Sequence, residues 1–376
     1  MLPNLSDDFY RFIWDGRLWT VGQHPFAALP SDFLQQNIPG LDATLFDKLN
    51  SKEHFTVYPP VAQLIFWLSV KIAPNSVLGS VIVMRIFIIL SEVGSVMIMI
   101  RLLERFHLPK KNALIYALNP LVILELTGNL HFEALVIFFL LLSVWFLTAE
   151  KLFPGAVAFA FAIGVKLLPA IFLPLMLGFM GFRRAFTFYL ITGLTCMFLF
   201  MPLYDSQILA GFSESLHLYF NNFEFNASIY YLVREYGFWK VGYNIIQHTG
   251  WKLGLISAIL IGAYAFPVTA SHQKSSFEKK DTVNHEVLSG FLFTLLIYLS
   301  FATTVHPWYI IPLAAFSVFT RFRFSVIWTA LIFLTYIGYS QNGFSEKLWT
   351  TAFEYVIVFG YLGYEFIWRE RELSHQ

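Results

Sequence analysis

The chain has 376 residues, of which 57% are hydrophobic and 13% are charged, and its formal net charge is +1. A soluble domain carries roughly 25% charged residues, so the composition excludes an ordinary soluble protein and indicates a polytopic helical membrane protein. The near-zero net charge gives no sign of nucleic-acid binding. The single cysteine, Cys196, excludes an intrachain disulfide and a cysteine-based metal site.

The sequence of residues 1–76 predicts a first loop that is polar at its start and apolar towards its end. The opening stretch DDFYRFIWDGRLWTVGQHPF, residues 7–26, places acids and arginines among aromatic residues. A later stretch, YPPVAQLIFWLSVKIA, is apolar, but from Pro59 it offers only about 15 residues, or roughly 22 Å of helix, against a hydrocarbon core of about 30 Å. It therefore predicts a juxtamembrane helix over 59–73 that starts at the two prolines.

Residues 77–368 predict an all-α bundle of about 11 membrane spans. The fourth and fifth spans are short, because residues 154–182 offer about 29 positions where two spans need roughly 40. We expect half-helices that meet inside the bilayer, where protein lines a cavity. The spans are expected at 78–100, 112–128, 131–149, 154–165, 167–182, 185–203, 251–269, 287–303, 307–320, 324–340 and 348–368.

Lysine and arginine concentrate in alternate loops, and this asymmetry predicts the orientation. The basic loops and the tail 369–376 are expected in the cytoplasm, which places residues 1–76 and the long loop 204–250 outside. No signal peptide precedes Asp7 to carry the first loop across the membrane. We therefore expect a further span before Met1, for a total of 12, in preference to an unusual translocation of the N-terminus.

The polar motifs gather at the outer ends of the predicted helices. Lys166 has a structural alternative to a role in a site, which is that its side chain extends along the helix to reach water. Trp308 and Tyr309 have another, which is that they anchor the chain at the membrane interface. For Asp8 and for Asp15, a solvated acid in a loop explains the residue as well as a catalytic role does. Their convergence on one face with Lys166 and the two histidines favours function. The motifs are the opening stretch, NPLVILELTGNLHFEAL with His131 and Glu133, GVKLLPAIFLP with Lys166, and TTVHPWYIIPL with His306, Trp308 and Tyr309.

These motifs, in this order, resemble bacterial GT-C glycosyltransferases, the polyprenyl-phosphate-sugar-dependent mannosyltransferases of family 87 and their relatives. The opening stretch is similar to their D-x-Y-R-Y-x-W-D-G-R segment, and the other motifs to their Y-P-P-L-A-Q, N-P-L…G-x-H-x-D, K-x-x-P and H-P-W-Y stretches. The sequence departs from the pattern at Phe12 and His24, and at Glu133, where the family often has Asp. Asp7 and Asp8 are adjacent, so there is no D-x-D to clamp a metal.

The resemblance implies a plasma (inner) membrane enzyme that moves a hexose, with mannose expected, from a polyprenyl-phosphate donor to a lipid or glycan acceptor on the outer face. A developing phosphate needs positive charge and an attacking hydroxyl needs a base, and a single displacement inverts the anomeric carbon. The expected base is Asp8, with Asp15 second. The expected phosphate ligands are Arg11, Lys166 and His306, and the expected sugar or acceptor contacts are Trp14, His131, Glu133, Trp308 and Tyr309.

Two other functions stay open from the sequence. A transporter or lipid-linked sugar flippase would bind its substrate near the midplane and often shows repeated halves, whereas here the polar residues gather at the outer end. A non-catalytic assembly factor descended from such an enzyme is the second alternative, and the near-complete motif set weighs against it. No cofactor is predicted with certainty, and a divalent cation is left open.

Overall fold

The structure, a computed structural model, describes residues 1–36, 38, 40–203, 223–275, 285–340 and 343–374. Almost all regular structure in these ranges is helical, and the one sheet found there is a hairpin that pairs Tyr339–Ser340 with Gly343–Phe344. The chain forms two compact units. The first holds Met1–Ile98, Ile123–Ala170 and the described part of Phe182–Tyr219, and the second holds Met99–Val122, Ile171–Gly181 and the described part of Phe220–Gln376.

The first loop contains four helices rather than one. They are α1 (Asp8–Thr20), α2 (Pro30–Gln35), α3 (Ala43–Phe46) and α4 (Pro60–Ile72). Helix α4 lies within the range 59–73 where a juxtamembrane helix is expected, with Pro60 in its first turn, where proline costs no helical hydrogen bond. Helix α1 was not part of the prediction, because charged and aromatic residues alternate along it without a continuous apolar stripe.

Helices α1 and α4 pack closely against each other. The rings of Phe12 and Phe66 stack with centroids 4.5 Å apart and planes 5° apart. Gly16 permits this approach, since a Cβ built on it would lie 2.4 Å from the carbonyl oxygen of Phe66. The Trp-Asp-Gly sequence therefore places a residue without a side chain where two backbones meet.

Of the remaining helices up to residue 203, the first is long, and later ones are bent or interrupted. Pro120–Gly128, whose second half is π-helical, bends by 111° relative to Glu133–Thr148. Gly181 interrupts the last helix with a positive φ of 69°. The helices are α5 (Val77–Arg105), α6 (Leu114–Ala117), α7 (Pro120–Val122), α8 (Glu133–Thr148), α9 (Leu152–Val165) and α10 (Leu173–Phe200).

The second unit is also built from helices, around a core that includes the fully buried rings of Phe291, Phe316 and Trp328. Of the predicted outer loop 204–250, residues 204–222 lie outside the described residues. The bounds of the later helices are Ile229–Val241, Ile246–Ser275, Glu286–Phe301, Ile311–Ser317, Phe324–Leu331 and Leu348–Ser374, and 3-10 turns cover Pro307–Ile310 and Ile332–Gly338.

Within the described residues, three helices are long and apolar enough to cross a membrane: Val77–Arg105, Leu168–Leu203 and Ile246–Phe266. A fourth follows if the bent pair Pro120–Gly128 and Glu133–Thr148 is one span. Shorter apolar helices, among them Leu152–Val165, occupy several of the other predicted positions. The chain is thus a helical membrane protein, and the count of about 11 spans stays a prediction.

Candidate active site

A buried ion pair lies on α1. Arg11 and Asp15 are four residues apart, so their side chains leave the same face of the helix. Arg11 Nε lies 2.8 Å from Asp15 Oδ1, and neither side chain is more than 3% exposed. Arg11 Nη1 donates to the carbonyl oxygens of Ser51 at 3.1 Å and His54 at 2.8 Å. Arg11 therefore ties α1 to the 51–54 segment of the first loop.

The second carboxylate oxygen of Asp15 joins α1 to α4. Asp15 Oδ2 accepts hydrogen bonds from Thr56 Oγ1 at 2.5 Å and from Gln63 Nε2 at 2.9 Å. Gln63 Oε1 in turn accepts from Trp19 Nε1 at 2.9 Å. A buried carboxylate is costly unless it is paired and hydrogen-bonded, and these donors meet that requirement. Asp15 thus fixes where α4 begins relative to α1.

Burial changes the roles expected for three residues. Trp14 is fully buried and packs against Phe46, with ring centroids 5.9 Å apart. Asp15 and Arg11 are enclosed by the contacts above. The three side chains are at most 3% exposed. We therefore propose that they hold the first loop in shape, and their roles as phosphate ligand, sugar contact and second base stay predictions.

Asp8 has a different environment. It stands in the first turn of α1, is half-buried, and its Oδ1 accepts a hydrogen bond from Asn50 Nδ2 at 2.7 Å. Asn50 thereby orients the carboxylate without neutralising it. Of the two predicted bases, Asp8 is the one with a face that a substrate hydroxyl can reach.

An ion pair joins the ends of α8 and α9. Glu133 is in the first turn of α8, and Lys166 follows the last turn of α9 with an extended backbone. Lys166 Nζ lies 2.5 Å from Glu133 Oε1, with the side chains 22% and 4% exposed. Among the described residues Glu133 Oε2 is buried without a hydrogen-bond partner. The carboxylate is therefore only half satisfied by hydrogen bonds from the described residues.

The bend before α8 is held by polar groups. His131 Nε2 lies 3.3 Å from Glu125 Oε2, and Asn129 Nδ2 donates to the same oxygen at 3.1 Å. Arg85 donates to the carbonyl oxygens of Thr127 at 2.8 Å and Gly128 at 3.2 Å, which the end of the helix leaves without helical partners. His131 is 2% exposed, so it is a buried partner of Glu125 rather than a surface group.

Tyr58 links these two parts of the first unit. Its ring packs edge-on against Phe12 and Phe66, with centroid distances of 4.9 and 5.4 Å. Burial raises the pKa of the Tyr58 phenol well above 10, and the carboxylates of Asp8, Asp15 and Glu133 raise it further, against an opposing effect of Arg11. Asp8 and Glu133 are thus both within electrostatic range of one phenol.

The predicted residues His306, Trp308 and Tyr309 lie together in the second unit. The imidazole of His306 stacks on Trp308 with centroids 4.5 Å apart and planes 11° apart, and Tyr309 meets it edge-on at 5.3 Å. On its other side His306 contacts Phe225 at 4.7 Å. Backbone bonds from Phe225 N to Thr303 O and from Val305 N to Phe225 O hold that ring in place.

In the part of the chain that the structure describes, no group of three or more His, Cys, Asp or Glu side chains is arranged to hold a metal ion. The motifs leave open whether the protein binds a metal ion, and the described residues add no set of metal ligands.

Residues 1–182 match the family model described as "Alpha-(1->6)-mannopyranosyltransferase, N-terminal domain", of the MptA_B family. The resemblance to GT-C mannosyltransferases is thereby confirmed. The matched region contains Asp8, Glu133 and Lys166. No curated protein matches the chain.

The matched region also contains polar residues to which the motif analysis assigned no role in the site. Tyr58, Thr56 and Gln63 all lie at or near the start of α4, and Asn50 holds Asp8. Gln63 carried a usable signal, because a polar side chain in an otherwise apolar helix needs a specific buried partner. Asn50 carried none, since amides are ordinary in loops.

Proposed function

We propose that this chain is an integral-membrane glycosyltransferase that moves a hexose, with mannose expected, from a polyprenyl-phosphate donor to an acceptor hydroxyl. The observation that carries the proposal is the placement of Asp8 and the Glu133–Lys166 pair around Tyr58, in the region that matches a mannosyltransferase family. A base and a cation near one position are what displacement of a phosphate by a hydroxyl needs.

In this reaction the acceptor oxygen attacks the anomeric carbon of the donor sugar. The bond from that carbon to the phosphate oxygen breaks, and polyprenyl phosphate leaves with the electron pair. The acceptor proton passes to Asp8, which has the exposed carboxylate face. A single displacement inverts the anomeric centre, so a β-linked donor gives an α-linked product.

Lys166 supplies the positive charge for the leaving phosphate. Without donor, Glu133 holds the ammonium group at 2.5 Å and keeps it from being an isolated charge. An arriving phosphate adds a second anion beside the same ammonium group. Glu133 Oε2, which has no partner among the described residues, accepts a hydrogen bond from a sugar or acceptor hydroxyl.

The other predicted residues have roles within their own units. In the first unit, Arg11, Trp14 and Asp15 keep the first loop folded, and His131 pairs with Glu125 at the bend before α8. In the second unit, taken by itself, His306 stays proposed as a phosphate ligand, and Trp308 and Tyr309 as sugar contacts. Interfacial aromatic rings beside a histidine suit a sugar phosphate at the membrane surface.

The excess of Lys and Arg in alternate loops supports placing the site on the extracytoplasmic face of the plasma membrane. A donor whose head group lies at the interface while its tail stays in lipid suits a site formed by juxtamembrane and short helices. The acceptor is a lipid or glycan hydroxyl.

The test is transfer of radiolabelled mannose from synthetic polyprenyl-phosphate mannose to membrane acceptors. Wild type and Asp8→Asn are compared, with Asp47→Asn as the matched control, because Asp47 is a largely exposed acid of the same loop. The proposal expects label transfer by wild type and by the control and none by Asp8→Asn. Absence of transfer by wild type across a panel of lipid-linked sugars would contradict it.

A further inference from the structure

Tyr58 is held rigidly at the start of α4. It precedes Pro59 and Pro60, and a residue before proline is restricted to extended backbone conformations. Its ring meets Phe12 at 85° and Phe66 at 80°, while those two rings stack on each other. Phe132, the neighbour of Glu133, closes the same aromatic cluster at 5.5 Å from Phe12. The direction of the phenol is therefore fixed by packing.

The hydroxyl at the end of this ring makes no hydrogen bond to another group among the described residues, although the side chain is partly buried. It is not one of the buried polar atoms that lack a partner, so the hydroxyl is open to solvent and can meet a ligand. A hydroxyl donor that packing holds in one direction and leaves open suits a substrate.

The charges around Tyr58 decide what kind of atom it binds. Burial and the carboxylates of Asp8, Asp15 and Glu133 keep the pKa of the phenol well above 10, so it remains a neutral donor. Two of these carboxylates are paired with cations, Asp15 with Arg11 and Glu133 with Lys166, so little net charge is left at this position for a charged ligand to pair with. A neutral hydroxyl oxygen, which accepts one hydrogen bond without adding charge, fits best.

We propose that the Tyr58 hydroxyl donates a hydrogen bond to a hydroxyl oxygen of the transferred hexose. This inference rests on the proposed function. In that reaction the base lies on one side of the sugar and the phosphate ligand on the other. The Tyr58 ring packs on Phe12, one helical turn after Asp8, the base. Phe12 also meets Phe132, the neighbour of Glu133, which holds Lys166. A sugar between the base and the phosphate ligand therefore lies beside Tyr58.

The structural alternative is that Tyr58 only packs against Phe12 and Phe66. Tyr58→Phe keeps that packing and removes only the hydroxyl, so it separates the two roles. Tyr10→Phe is the matched control, because it removes the hydroxyl of another half-buried tyrosine, whose ring packs on Phe9 with centroids 4.0 Å apart. Both variants should unfold at the wild-type temperature.

The experiment measures kcat/KM for transfer from mannosyl donors that each lack one hydroxyl group. With the complete donor, Tyr58→Phe should lose roughly 10-fold, the effect of one hydrogen bond, and Tyr10→Phe should lose nothing. For one deoxy donor, wild type and Tyr58→Phe should be equally slow, because the same hydrogen bond is already missing. Equal rates of wild type and Tyr58→Phe on every donor would overturn the inference.

A binding measurement keeps this test separate from the proposed function. Protection against thermal unfolding by a non-hydrolysable polyprenyl-phosphonate mannose is compared for wild type and Tyr58→Phe. If wild type transfers no sugar, the proposed function fails, and weaker protection of Tyr58→Phe still supports a sugar contact. If the phosphonate protects the two proteins equally, or protects neither, the inference is overturned.

Discussion

Lys166 Nζ lies 2.5 Å from Glu133 Oε1, and this contact joins the C-terminal end of one apolar helix to the N-terminal end of the helix before it. Lys166 follows α9, where the chain turns extended, and Glu133 opens α8 after the 111° bend. The contact thus brings one cation and one anion together where the ends of the two helices meet. Whether the pair serves folding or chemistry can be separated by experiment.

Removing only the charge of Lys166 should affect both stability and activity. Lys166→Met leaves Glu133, which is 4% exposed, without its counter-ion, and loss of one partner of a buried pair costs roughly 3 kcal/mol. The double variant Lys166→Met/Glu133→Gln removes both charges and should recover most of that loss. If Lys166 binds phosphate, transfer should stay at least about 100-fold below wild type in both variants.

Thermal unfolding in detergent and mannose transfer are measured on the same preparations of these two variants. Recovery of stability without recovery of transfer would support a phosphate role for Lys166. Near-normal transfer by the double variant would remove the pair from the reaction.

Asp15→Asn should be a stability variant rather than a catalytic one. It leaves Arg11 buried without a carboxylate and weakens the bonds from Thr56 and Gln63, so we expect a loss of roughly 3 kcal/mol. Transfer per folded molecule should remain within about 10-fold of wild type, because the residue acts by holding α1 and α4. Normal unfolding combined with complete loss of transfer would instead identify Asp15 as the base.

Gly16→Ala should loosen the contact between α1 and α4. The added Cβ would lie 2.4 Å from the carbonyl oxygen of Phe66, and backbone cannot move aside as a side chain can. Overpacking of this kind costs about 1–3 kcal/mol. Gly193→Ala is the control, since nothing lies within 4 Å of a Cβ there. Equal unfolding temperatures for Gly16→Ala and Gly193→Ala would contradict this prediction, because they would show that α1 and α4 can move apart at no cost in stability.

In the second unit, Glu354 should matter as a hydrogen-bond acceptor. It is fully buried, and its Oε1 accepts from Asn226 Nδ2 at 3.0 Å and from Trp328 Nε1 at 2.7 Å. Glu354→Ala leaves both donors unpaired and should cost about 2 kcal/mol or more. Glu354→Gln keeps an acceptor oxygen and should cost less, as measured by thermal unfolding. A larger loss for Gln than for Ala would contradict this assignment.

The sequence predicted those parts of the molecule where local patterns decide the outcome. The helix over 59–73 was visible from its two prolines and its apolar run, and the structure has it at Pro60–Ile72. Lys166 was expected between two short helices, and it follows Leu152–Val165 and precedes the 3-10 turn Leu168–Phe172. The motif order also indicated the family that residues 1–182 match.

Long-range burial was beyond the sequence. Arg11 and Asp15 are charged, so the expectation was that they face a substrate or solvent, and only the tertiary fold shows that they face Ser51, Thr56 and Gln63 instead. A pair at positions i and i+4 looks the same in sequence whether it is buried or exposed. Helix α1 was missed for the same reason, because its two central charged residues, Arg11 and Asp15, point inward.

The central claim is that Asp8 takes the acceptor proton in a mannosyl transfer. The most direct measurement compares radiolabelled mannose transfer by wild type, Asp8→Asn and Asp47→Asn, each shown to bind a polyprenyl-phosphonate mannose and to unfold at the wild-type temperature. The account predicts transfer by wild type and Asp47→Asn, and a loss of at least about 100-fold in Asp8→Asn with donor binding retained. Full transfer by a folded Asp8→Asn protein would contradict it.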